Sequence, residues 1–90
     1  MYIGEIKGTI VATRKNEDLR GCKLMIIQPL NSSLEPIGQE EVAIDTVGAG
    51  IGETILYVSG TAGRIAAKKL DSPIDLSIVG IVDTINVDKK

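Results

Sequence analysis

The opening of the chain limits its fold more than any other part. From Tyr2 to Arg14, Ile3, Glu5, Lys7, Thr9 and Val11 alternate with Tyr2, Gly4, Ile6, Gly8, Ile10 and Ala12. That period of two predicts one long β-strand. Gly4 and Gly8 lie inside it, where glycine marks bends or a close approach of another backbone. A long, glycine-interrupted strand suits a barrel, because one strand must curl across two sheets as the barrel closes.

Four further strand-like runs follow, separated by turn signals. They span Cys22 to Leu30, Glu41 to Val47, Glu53 to Ser59 and Leu76 to Val87. Pro29 demotes the end of the second run to an edge position. The polar stretch from Lys15 to Gly21 reads as a loop, and Asn31 to Gly38 as a turn-rich connection. Before the last strand the period changes. Thr61 is placed to cap a short helix from Ala62 to about Leu70, with Ile65, Ala66 and Leu70 on its apolar face. Lys68 and Lys69 complement the helix dipole, and Asp71-Ser72-Pro73 ends the helix. The expected fold is mainly β: a small five-stranded, OB-like β-barrel with one short helix before the last strand, in a single domain over 1–90.

Composition says how so small a barrel holds together. Ninety residues bury only about 60–65% of the surface that their unfolded chain exposes. Small domains often gain stability from disulfides, metals or self-association. Cys22 is the sole cysteine and there is no histidine, so neither an internal disulfide nor a Cys/His zinc cluster is available. Self-association remains. The chain is 43% hydrophobic with two aromatic residues, Tyr2 and Tyr57, so its core is aliphatic.

The same composition excludes function classes. A net charge of −2 does not give the basic footprint of non-specific nucleic-acid binding. No run of 18 apolar residues is present to span a membrane, and the first residues lack the basic and apolar regions of a signal peptide. A free thiol without an export signal points to the cytoplasm. Without histidine, Cys22 has no dyad partner, and Ser32, Ser33, Ser59 and Ser72 have no base to activate them. Neither an enzyme nor a cofactor or metal protein is expected.

The run Gly48-Ala49-Gly50-Ile51-Gly52-Glu53 invites a phosphate-loop reading, which fails. Its third glycine comes one residue too early for G-x-G-x-x-G, no lysine follows, and the next element reads as a strand. Two readings stay open. The glycines supply positive φ in a tight β-connection, or they let neighbouring backbones approach at a subunit contact. Asp45 and Glu53 bracket the run without a third group to tune them as an acid–base pair. Asp45 is expected to bond loop amides, as aspartate commonly does. Arg64 is either solvent-facing or an anchor that pairs with a carboxylate of another subunit.

Asp45-Thr46-Val47-Gly48-Ala49-Gly50-Ile51-Gly52-Glu53, then Ile55-Leu56 and Gly60-Thr61-Ala62-Gly63-Arg64, closely resembles the EutN/CcmL family of bacterial microcompartment vertex proteins. The opening Gly8-Thr9-Ile10-Val11-Ala12-Thr13 and the ending Pro73-Ile74-Asp75 with Ile78-Val79-Gly80-Ile81-Val82-Asp83 extend the likeness over nearly the whole chain. The resemblance implies a homo-pentamer of β-barrels that caps the vertices of a polyhedral shell whose facets are hexameric shell proteins. Such shells enclose enzymes of carbon fixation or of small-molecule catabolism, including that of ethanolamine. It implies a location in the shell and no nucleic-acid or membrane partner. A ring of this kind uses a head-to-tail interface whose rotation closes. On this reading Asp45, Thr46, Val47, Gly48, Ala49, Gly50, Gly52, Glu53 and Arg64 are the expected subunit-interface or axial-pore residues. The competing expectation is a monomeric OB-type binder of single-stranded nucleic acid or oligosaccharide, which needs aromatic stacking platforms.

Overall fold

A computed structural model describes residues 1–12, 17–19, 21–68 and 74–88. Five strands, β1 (Tyr2–Ile10), β2 (Lys23–Leu30), β3 (Glu41–Asp45), β4 (Thr54–Ser59) and β5 (Leu76–Ile81), close into a barrel in the order β1-β2-β3-β5-β4. The neighbours are antiparallel except β3 and β5, which run parallel. A 3₁₀ turn, Glu17–Leu19, lies between β1 and β2, and one helix, α1 (Gly60–Ala67), precedes β5. The expected five-stranded barrel with a helix before the last strand is what the chain forms.

The core is aliphatic, as the composition requires. Ile6, Ile27, Ile55 and Ile78 are fully buried, with Met25, Ala43, Ala49, Tyr57 and Leu76 packed among them. Gly4 is a point of close approach: a Cβ there would stand 3.1 Å from the Tyr57 ring and 3.2 Å from the Gln28 carbonyl. Gly8 marks an irregularity, because the β1–β2 register shifts between Ile6 and Gly8. Pro29 lies past the end of the β3 ladder, which stops at Ile27, but it is not at a free edge. Gly4 of β1 pairs with it on one side, and on the other its carbonyl accepts the Ile37 amide at 2.9 Å beside a Leu30–Pro36 bridge.

Several boundaries differ from expectation. First, β5 ends at Ile81 rather than near Val87. The Val82 amide still donates to the Thr54 carbonyl, but β4 begins at Thr54 and offers nothing further to pair with. Second, β3 stops at Asp45, whose carboxylate turns onto the amides that follow it. Third, α1 starts at Gly60, not Ala62. Ser59 occupies the N-cap without a side-chain cap bond, and Thr61 lies within the first turn. β1 ends at Ile10, short of the expected Arg14, with Val11 and Ala12 already outside the strand. α1 ends at Ala67, short of the expected Leu70, because Lys68 caps it in the left-handed conformation. Arg14 and Leu70 themselves lie outside the described residues.

The helix also turns differently. Ile65, expected to face the core, is 60% exposed, and Gly63 is the buried residue of α1. Gly63 lies against the backbone, where a Cβ would meet the Asp75 carbonyl at 3.0 Å and that of Val58 at 3.2 Å. The fully buried Ser77 hydroxyl fastens this contact by donating to the Gly63 carbonyl at 2.7 Å. Ser77→Ala should cost about 1–2 kcal/mol, the scale of a buried hydrogen bond lost, read as a lower urea midpoint with an unchanged far-UV spectrum.

Candidate functional site

The segment from Asp45 to Glu53 is a self-tied loop. One Asp45 carboxylate oxygen accepts the Val47 and Gly48 amides at 3.0 and 3.1 Å, and the other accepts the Ala49 amide at 2.9 Å. Glu53 does the same from the other end, its carboxylate accepting the Gly50 amide at 2.5 Å. Gly48 and Gly52 have φ of 78° and 89°, which a side chain would strain. The loop is anchored to the barrel as well. The Gly52 amide donates to the Ile6 carbonyl at 2.8 Å, and the Ile6 amide donates to the Glu53 carbonyl at 3.0 Å. Thr46 donates its hydroxyl to the Ile78 carbonyl at 2.6 Å.

Both charges are thereby turned onto the loop's own backbone. Among its exposed residues are two large apolar side chains, Ile51 at 67% and Val47 at 40%. Two carboxylates engaged with separate sets of amides do not form an acid–base pair. The amide-binding role of Asp45 holds, and the positive-φ reading holds for Gly48 and Gly52 but not for Gly50. Ala49 is the exception among the candidate contact residues. Its side chain is 4% exposed and belongs to the barrel core, so it offers a neighbour no side-chain contact. Among the described residues, no group of three or more His, Cys, Asp or Glu is placed to hold a metal ion.

Arg64 lies apart from the loop on α1 and is half-buried. Its guanidinium donates to the Thr61 hydroxyl at 3.0 Å and reaches the Ile74 carbonyl at 3.4 Å. These bonds tie the first turn of the helix to the approach to β5. Cys22, just before β2, is half-buried.

A second surface went unnoticed in the sequence. An open groove runs over Tyr2, Pro29, Leu56 and Tyr57, with Met1 and Ile37 at its lip, and Glu40 and Glu41 border it. The Tyr2 and Tyr57 rings stack with centroids 5.2 Å apart. Tyr57 is 2% exposed and its hydroxyl donates to Glu41 at 3.3 Å. Burial first, and then the Glu41 charge, push the Tyr57 hydroxyl from 10.0 up to about 12. A raised folded-state pKa gives stability that is complete below pH 10 and lost as pH climbs toward 12. The urea midpoint should therefore fall more steeply over that window in the native protein than in Tyr57→Phe. No local sequence signal announces the groove, because its residues come from β1, β2, β4 and the 31–40 connection.

This geometry is shared with proteins of known kind. The family model described as ethanolamine utilisation protein EutN/carboxysome matches residues 1–83. The bacterial microcompartment shell vertex protein GrpN of Rhodospirillum rubrum is 46% identical over 85 residues, covering 94% of this chain and 96% of GrpN. The solved pentameric GrpN shell protein superposes with a TM-score of 0.88 at 43% identity, covering 99% of this chain and all of that one. The carboxysome shell vertex protein CcmL of Gloeobacter violaceus is 38% identical over 90 residues, all of this chain and 90% of CcmL. Its structure gives a TM-score of 0.91, covering 100% of this chain and 93% of that one. EutN of Escherichia coli, a microcompartment shell vertex protein, is 41% identical over 85 residues, 94% of this chain and 90% of EutN. With a family match from end to end of the barrel, and relatives of its own length that share the strand order and the helix, the chain belongs to the EutN/CcmL family.

Proposed function

We propose that this chain is a structural subunit of a bacterial microcompartment shell, and that five copies close into a ring capping a vertex of the polyhedron. The observation that carries this reading is the loop from Asp45 to Glu53, tied by its own carboxylates and bearing the exposed apolar side chains of Val47 and Ile51. Turning the carboxylates inward orders the loop, but an outward Ile51 gains a solvent-facing loop nothing. A subunit contact gains both a pre-ordered backbone and a surface that costs little to desolvate. The relatives that share the barrel are named shell vertex proteins, and one is solved as a pentamer. On this reading Thr46, Val47, Gly48, Gly50 and Gly52 face a neighbour or the ring axis, Asp45 and Glu53 hold the loop in shape, Ala49 contributes only backbone, and Arg64 braces α1 for the contact.

The role is one of assembly rather than chemistry. The ring sits among hexameric facet proteins of the shell, in the cytoplasm, and needs no cofactor, nucleic acid or membrane. No helix among the described residues is long and apolar enough to cross a membrane. Binding of single-stranded nucleic acid or oligosaccharide by a monomer is the weaker reading, since the stacked tyrosines lie in a groove bordered by Glu40 and Glu41, which repel phosphates. Native mass spectrometry of the purified chain tests the proposal. A species of five chain masses is expected, and a monomer at micromolar concentration would sink it.

A further inference from the structure

Two unlike surfaces remain unmatched within one subunit. The first is the outer stripe of α1. Thr61, Ala62, Ile65 and Lys68 are exposed, so a single large aliphatic side chain stands beside a lysine, with Arg64 half-buried next to it. No acidic residue lies in the first turn of the helix, and the stripe is basic. The second is the groove over Tyr2 and Pro29. Its lip residues Met1 and Ile37 are 77% and 50% exposed, and its charged border, Glu40 and Glu41, is acidic. No residue of α1 lines that groove, so the two surfaces do not meet in the subunit.

We propose that α1 of one subunit docks in this groove of a second copy, with Ile65 against Tyr2 and Ile37 and with Lys68 facing Glu40. This inference rests on the ring proposed above and names the faces that close it. Three considerations select a second copy as the occupant. The charges are of opposite sign, so the encounter is steered and its register set. The apolar parts match in kind, an aliphatic knob against an aromatic and aliphatic floor. A head-to-tail ring also needs two different, mutually complementary patches on every subunit, which these are. Each pairing then recurs at all five interfaces.

Charge reversal tests the pairing, because both positions are exposed and neither belongs to the core. Lys68→Glu and Glu40→Lys are made singly and together in the full chain, with folding followed by far-UV circular dichroism. The pentamer–monomer midpoint concentration is read by sedimentation velocity over a dilution series. Each single variant should raise that midpoint about tenfold, the scale of a surface charge contact inverted five times in one ring. The double variant should return to within about twofold of the native protein, and raised salt should shrink all three differences. Single variants with an unchanged midpoint would overturn the pairing, as would a double variant weaker than either single one. If the native chain never forms the fivefold species, the ring itself is wrong, and that result is separate because it needs no variant.

Discussion

Ala49→Asp should unfold the barrel rather than merely loosen a ring. Ala49 is 4% exposed and packs in the cluster with Ile6, Ile55 and Ile78. A carboxylate there has no partner, and the Asp45 side chain already occupies the Ala49 amide. Burying an unpaired ionisable group costs about 3–5 kcal/mol, by ionisation in place or by protonation. Total stability at about 0.05–0.15 kcal/mol per residue is roughly 5–13 kcal/mol for a domain of this size. The variant should therefore lose most of its cooperative thermal transition and accumulate as insoluble chain. Ile51→Asp is the informative companion. Ile51 is 67% exposed, so the monomer should keep its melting behaviour while the ring weakens. Circular dichroism melts set beside sedimentation separate the two effects. A soluble, folded Ala49→Asp monomer would show that this side chain does not face the core.

The second large effect belongs to Asp45→Ala. Removing the carboxylate takes the acceptor from three amides at once, those of Val47, Gly48 and Ala49. Hydrogen bonds to a charged acceptor contribute about 1.5–3 kcal/mol each where they are buried. Two of these three amides can turn to water, so a net loss of about 2–3 kcal/mol is expected, with hydrogen exchange of the Ala49 amide speeding up. Asp45→Asn keeps one acceptor oxygen and should fall between the two. The ring should suffer more than the subunit, because a loop that must be ordered at assembly charges that entropy to every interface. A melting temperature and pentamer midpoint both unchanged in Asp45→Ala would remove the loop from the assembly argument.

Much of this protein could be read along the chain. Alternation located the opening strand, Tyr2–Ile10, because a residue's face in a strand depends on local geometry alone. Pro29 marked where the β2–β3 ladder gives way, for the equally local reason that it lacks an amide hydrogen, but not that the 31–40 connection would pair back onto it. Asp45 was recognisable as a loop-tying residue, since its partners lie two to four positions away. The absence of histidine and of a second cysteine removed whole classes of chemistry before any fold was known.

The opening strand formed as its alternation required only as far as Ile10, and its glycines show where that reading stopped. Bend or close approach were both open for Gly4 and Gly8. Contact with Tyr57, more than fifty residues away, made Gly4 a site of close approach, and the β2 register made Gly8 an irregularity. The same holds elsewhere. Ala49 faces the core because β1 passes beneath the loop, Ile65 faces outward because Gly63 takes the place against Asp75 and Val58, and β5 stops where β4 begins. Local sequence determined which residues form strands, turns and ties, since those rest on backbone sterics and short-range hydrogen bonds. Only the closed barrel decided which side of each element is buried and which is left for another copy, since that depends on partners far away in the chain.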